Sequence, residues 1–166
     1  MKKIYGILIS LFIFLPFNVE ALEEVKFSSC VDGDTARVIY NNEEVKLRFL
    51  AIDTPESTKE KEPFGKEASD YTCKRLKEAK KITIEFDPNS EKQDKYNRYL
   101  VWIYVDDSLL QKELISEGLA SVAYLYGDYK YQFLLIACKR FLHYQIFQGQ
   151  YPRNALRDTL PSLACS

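Results

Sequence analysis

Two strand-like segments joined by a very short connection constrain this chain most. "ARVIY" at 36–40 and "EVKLRFL" at 44–50 are separated by "NNE", a hairpin signal. In the second segment Val45, Leu47 and Phe49 alternate with Lys46 and Arg48. A period of two sends the first set into a core and points Arg48 to the opposite face. A hairpin buried on one face needs further strands to cover it.

The rest of the sequence supplies them. Residues 25–30, "ITIEF" at 82–86 and "LVWIYV" at 100–105 read as strands. "FGKEASDYTCKRLKEAKK" at 64–81 has helical apolar spacing with lysines gathered at its C-terminal end. "SLLQKELISEGL" at 108–119 reads as a short helix with Ser108 as N-cap and Gly118 near its end. A longer apolar helix is predicted over 131–147, and the Pro-containing tail after Tyr151 reads as irregular. Five strands, with helices after the third and fifth, imply the α+β class: a five-stranded Greek-key barrel of the OB-fold type carrying about three α-helices. The 166 residues contain no repeat and no linker, which argues for one folded domain.

The first 21 residues stand apart. "MKK" is a positive n-region, "IYGILISLFIFLPF" is an apolar stretch too short for a comfortable span, and Val19 and Ala21 fit the −3 and −1 positions of a cleavage site. Residues 1–21 therefore read as a secretory signal peptide, with 22–166 as the exported domain and an uncleaved anchor as the alternative. Removing them takes Lys2, Lys3 and Glu20 from totals of 23 basic and 24 acidic residues. That leaves 21 against 23, a net charge of −2. Most nucleic-acid binders are basic, so any site for a polyanion must be a local patch. Cys30, Cys73, Cys138 and Cys165 match no metal-binding spacing. An even count in an exported chain favours two disulfides. Of the three connectivities, Cys30–Cys73 with Cys138–Cys165 closes the shortest loops; four free thiols are the other possibility.

The reactive equipment is narrow. The one histidine, His143, lies on an apolar helix and reads as structural, and there is no H-E-x-x-H, G-x-S-x-G or P-loop. Carboxylates and arginines remain. Asp32-Gly33-Asp34-Thr35 places two short carboxylates at a Gly turn, and Asp53-Thr54-Pro55-Glu56 places two more around a stiff Thr-Pro pair. Pro55 biases Thr54 toward an extended backbone and so aims its carbonyl. That carbonyl with Asp34 and Asp53 would form an oxygen-only site, better suited to Ca²⁺ than to Mg²⁺. "DKYNRY" at 94–99 offers Lys95, Tyr96 and Arg98, with Asn97 tolerant of the left-handed conformation. In "AYLYGDY" at 123–129, Tyr124 and Tyr126 alternate. Each cluster taken alone also fits an ordinary turn, solvated loop or aromatic core.

"VDGDT", "RFLAIDTPE", "DKYNR" and "GLASVAYLY" occur together in the order and spacing of the staphylococcal nuclease (thermonuclease-like) family, which the chain resembles from about Val25 to Ala137. The resemblance implies a Ca²⁺-dependent phosphodiesterase acting on DNA and RNA and leaving 3′-phosphates. It also implies roles: Asp34, Asp53 and the Thr54 carbonyl as calcium ligands, Asp32 as an outer-sphere acid, and Glu56 beside the attacking water. Arg48 and Arg98 would grip the phosphate, while Tyr124 and Tyr126, with Lys95 and Tyr96, would contact substrate. A secreted monomer without membrane association after signal cleavage is the expected state. The competing readings are a non-catalytic OB-fold nucleic-acid binder and an exported module that binds protein or sugar through its aromatics.

Overall fold

The computed structural model describes residues 22–58 and 62–147. The expected signal peptide, Cys165 with its expected bond to Cys138, and the tail after Tyr151 all lie outside them.

The expected hairpin is present. Strands β1 (Glu23–Asp32), β2 (Thr35–Tyr40) and β3 (Glu43–Phe49) form an antiparallel meander. Asn41 and Asn42 connect β2 to β3, both with positive φ, as a two-residue hairpin turn of matching twist requires. Leu47 and Phe49 are fully buried while Arg48 lies on the other face, opposite Thr35 of β2. β1 is long enough to pair with β2 along one half and with β5 (Ile82–Glu85) along the other. Irregularities at Phe27/Ser29 and Cys30/Asp32 bend it between the two. β5 pairs with β6 (Tyr99–Val105), and β6 returns parallel to β3. That last pairing closes a five-stranded barrel and, with three helices among the described residues, realises the α+β architecture read from the sequence.

Two short pairings were not foreseen. β4 (Ile52–Asp53) pairs with β8 (Ser121–Val122), tying the Asp53 turn to the segment that leads into Tyr124. β7 (Ser108–Leu109) pairs with β6 after a turn at Asp106 and Asp107, both with positive φ. Ser108 is therefore a strand residue and not an N-cap: helix α2 (Leu110–Ser116) starts after Leu109, and no side chain caps it. The hairpin takes the residue the helix would have used. Gly118, at φ 69°, supplies the left-handed residue just beyond this helix.

Helices α1 (Gly65–Glu78) and α3 (Gln132–Phe147) complete the fold. The barrel core gathers Val38, Leu47, Phe49, Ile84, Trp102 and Ile103, with Leu110 and Leu114 of α2 against it. α1 is fastened to β1 by the Cys30–Cys73 disulfide, with a Cα separation of 5.6 Å. Thr72 Oγ1 also donates to the Gly33 carbonyl at 2.6 Å. Both links lie beside the Asp32–Asp34 turn. His143 is exposed on α3, away from the residues of the Asp32–Asp34 turn.

Candidate active site

Arg48 leaves the outer face of β3 and meets carboxylates from two turns. Its Nη1 forms an ion pair with Asp34 Oδ2, and its Nη2 donates to Asp53 Oδ1 at 3.1 Å and to the Ile52 carbonyl at 3.2 Å. Asp34 is held in turn by the Thr35 hydroxyl at 3.0 Å and by the Thr54 backbone N–H at 3.1 Å. Two turns distant in sequence thus share one guanidinium and one carboxylate. The β4–β8 pairing and the closure of β3 on β6 bring this about; neither is local to the motifs.

Space as well as charge sets this junction. A Cβ on Gly33 would lie 2.7 Å from Thr54 Oγ1 and 2.9 Å from the Ala68 Cβ of α1. Only a glycine lets the Asp32–Asp34 turn close against Thr54 and α1. Asp32 folds over the same turn, accepting from Gly33 N–H at 2.8 Å and from the Ser57 hydroxyl at 2.7 Å.

Glu56 sits one residue past Pro55. Its backbone N–H donates to Glu62 Oε2 at 3.0 Å, and Thr58 Oγ1 reaches its Oε2 at 3.3 Å. Gly65, the first residue of α1, approaches the Pro55 and Glu56 carbonyls closely. The helix start therefore serves as a backstop for the Glu56 turn.

Arg98 comes from the loop leading into β6, the strand beside β3. Its Nε donates to Asp94 Oδ2 at 2.6 Å, and Nη2 lies at 2.6 Å from the same oxygen. Asp94 Oδ1 accepts from the Tyr96 and Arg98 N–H groups at 2.8 and 3.0 Å, closing the loop on itself, with Asn97 left-handed at φ 59° as its sequence suggests. Burial pushes the Asp94 carboxyl upward, but the Arg98 backbone and guanidinium outweigh that, and the net shift is downward. Asp94 escaped the reading of the sequence as a functional residue. Its spacing of four from Arg98 was the available signal.

Aromatic rings frame both arginines. Tyr124 lies 5.5 Å below the Arg48 guanidinium, and Tyr96 lies 5.4 Å from that of Arg98 and 5.1 Å from the Lys95 ammonium. Tyr124 has φ 56°, a conformation bulky residues rarely adopt and one that persists only where surrounding structure enforces it. Tyr126 stands 6.2 Å from Tyr124 and is 82% exposed. Burial lowers the pKa of Arg48, the Asp53 charge opposes this, and the Arg98 charge adds to it. Arg48 nevertheless stays cationic, because a guanidinium starts far above neutrality.

A single cleft of about 1130 Å³ is lined by Asp32, Asp34, Arg48, Asp53, Glu56, Lys95, Tyr96, Arg98, Tyr124 and Tyr126. Thr54 alone among the expected site residues does not line it; it packs behind, buried, against Asp34 and Gly33. The buried Thr54 Oγ1 makes no hydrogen bond within the described residues, so the centre holds polar capacity that the protein does not consume. The cleft wall carries six carboxylates (Glu91 and Asp94 completing the set) against four cations, an excess of two negative charges. Within the described residues no three His, Cys, Asp or Glu side chains form a metal cluster. A cation here could draw on the Asp34 and Asp53 carboxylates and the Thr54 carbonyl, with water completing its shell. Those all-oxygen donors, beside an excess of negative charge, fit an alkaline-earth ion.

The sequence pattern of the family described as Staphylococcal nuclease homologue matches residues 46–139, more than half of the chain. This chain belongs to the staphylococcal nuclease family. It is 41% identical over 112 residues to endonuclease YncB of Bacillus subtilis (strain 168), covering 66% of this chain and 52% of that protein. It is 43% identical over 108 residues to the SPbeta prophage-derived endonuclease YokF of the same organism, covering 63% of this chain and 36% of that protein. Thermonuclease of Staphylococcus hyicus is 35% identical over 105 residues, 61% of this chain and 60% of that protein. The chain thus spans between about a third and three fifths of these relatives.

Proposed function

We propose that this protein is an exported, Ca²⁺-dependent nuclease that hydrolyses phosphodiester bonds of DNA and RNA. One observation carries the reading: Arg48, Asp34, Asp53, Glu56 and Arg98, from four separate chain segments, line one cleft. A turn that was only structural would have no reason to share a cleft with a second arginine from another loop.

The chemistry follows from the donors. Arg48 is held by Asp34, Asp53 and the Ile52 carbonyl, so its guanidinium is fixed at the cleft wall where a non-bridging phosphate oxygen can meet it. Arg98 is gripped through Nε and Nη2, which leaves Nη1 for a second oxygen. Two fixed guanidinium groups stabilise the charge that accumulates as water adds to phosphorus, and need no reorganisation to do so. Glu56 orients that water and accepts its proton. The bond from phosphorus to the 5′ oxygen breaks, leaving a 3′-phosphate. A calcium ion on Asp34, Asp53 and the Thr54 carbonyl would supply the positive charge that the cleft lacks. Tyr124 and Tyr126 offer faces for bases, a sequence-tolerant contact that suits both DNA and RNA.

Export is supported by the pattern of residues 1–21 and by the Cys30–Cys73 bond, which is at home in an oxidising compartment. No helix within the described residues is long and apolar enough to cross a membrane. Plasmid DNA and RNA incubated with the purified chain should be degraded with calcium, and spared with EDTA. Binding without degradation under calcium would favour the non-catalytic binder. Equal degradation in EDTA would refute the metal-dependent reading.

A further inference from the structure

We propose that Lys46 is a second phosphate contact, one step along the substrate strand from the scissile position, and that it favours polynucleotides over the shortest diesters. This rests on the nuclease reading above.

The cations of the cleft are not equivalent. Arg48 is shared by Asp34 and Asp53, Arg98 is committed to Asp94, and Lys95 lies against the Tyr96 ring. Lys46 also lines the cleft and is exposed, yet it makes no ion pair, hydrogen bond or ring contact within the described residues. Among the described residues it is the cleft cation that neither a carboxylate nor an aromatic ring answers. A cleft lysine with no partner within the described residues is available to an anion arriving from solution.

Its place on β3 specifies which anion. Lys46 and Arg48 are two apart on one strand, so their side chains share a face about 6.6–6.8 Å apart. Across the ladder Lys46 faces Arg37, whose Nη1 is already engaged by Glu44 at 3.4 Å. A ligand answering both Arg48 and Lys46 must present negative charges repeated at roughly that interval, as an extended nucleic-acid strand does. At about 1130 Å³ the cleft exceeds the roughly 300–1,000 Å³ of small-molecule sites, which leaves room for a ligand that reaches past Arg48 to Lys46. Lysine, a flexible point charge, suits a backbone phosphate that needs holding but no bidentate alignment.

The test compares the wild type, Lys46→Gln and Lys46→Arg in calcium, on a long single-stranded DNA and on a dinucleoside monophosphate. One phosphate contact fewer lowers the salt slope of binding by about 0.7. Between about 50 and 200 mM salt, the wild type should therefore lose about 2.6-fold more affinity for the polymer than Lys46→Gln does. The expected result is a rise in KM for the polymer with kcat retained, a smaller effect on the dinucleoside monophosphate, and recovery in Lys46→Arg. Equal salt slopes and equal KM in wild type and Lys46→Gln would overturn this inference while leaving the nuclease reading intact. A wild type that hydrolyses neither substrate would overturn both. Because Lys46 is exposed, matching thermal unfolding curves will separate lost contact from lost fold.

Discussion

Gly65→Ala offers the sharpest contest between generic helix energetics and this particular site. Replacing glycine by alanine at a helical position commonly stabilises a protein by about 0.4–1 kcal/mol, because the unfolded chain loses freedom. At Gly65 a Cβ would lie 2.2 Å from the Glu56 carbonyl oxygen, 2.7 Å from its carbon and 3.0 Å from the Pro55 carbonyl oxygen. Ordinary contact begins at about 3.4 Å, so the 55–56 turn or the start of α1 must retreat by about 1 Å. The neighbours that could yield are themselves tied: Glu62 N–H donates to the Glu56 carbonyl at 2.9 Å, and Gly65 N–H to the Glu62 carbonyl at 3.1 Å. With Glu56 aligning the attacking water as proposed, a displacement of about 1 Å there costs on the order of 10²-fold in rate. The expected variant is folded, less stable than the wild type, and slowed about 10²-fold in kcat, with KM changed far less because both arginines stay in place. Circular dichroism melts and steady-state kinetics on single-stranded DNA measure all three. A variant with a raised Tm and full turnover would show that the helix start does not set the position of Glu56.

Three further outcomes follow from the same contacts. Arg98→Ala should slow turnover by about 10²–10³-fold, as expected for one preorganised donor to developing charge, and Glu56→Gln by at least as much; near-normal kcat in Glu56→Gln would remove the proton-accepting role. Cys30→Ala with Cys73→Ala opens a loop of 43 residues, worth about 4 kcal/mol on chain-entropy grounds, and should lower Tm by about 8–16 °C in calorimetry. Burial, then the nearby Glu113 charge, raise the pKa of Glu117, so the folded chain binds its proton more tightly than the unfolded chain. The stability this gives is present below about 4.5 and is lost as pH rises through the raised folded pKa. Glu117→Gln should therefore raise Tm near neutrality, with the gain vanishing in acid; a gain independent of pH would exclude this origin.

The parts of the fold that could be read in advance are those whose cause is local. The alternation of Val45, Leu47 and Phe49 against Lys46 and Arg48 carries its own geometry, and the Asn41-Asn42 pair accepts positive φ at both positions. What stayed hidden depends on partners far along the chain. Ile52–Asp53 becomes a strand only because Ser121–Val122 lies beside it. Ser108 reads as a helix cap until Asp106 and Asp107 turn the chain back onto β6. Gly33 looks like a turn glycine, yet its need is for space against Thr54 and Ala68, which no turn motif records.

The site divides in the same way, and the division explains why its charges are arranged as they are. Residue types and spacing suffice to nominate Arg48, Asp53 and Glu56, because one strand and one turn carry them. They do not reveal that Asp34 and Asp53 hold the same guanidinium, or that Asp94 engages Arg98 through its Nε and Nη2. Pairing each arginine with a carboxylate keeps the two cations close despite their mutual repulsion, and holds each side chain in one orientation before substrate arrives. The cost of that order is an excess of negative charge in a cleft proposed to take an anion. A divalent cation, and a lysine left unpaired on the same strand face, are the two physical remedies open to such a site.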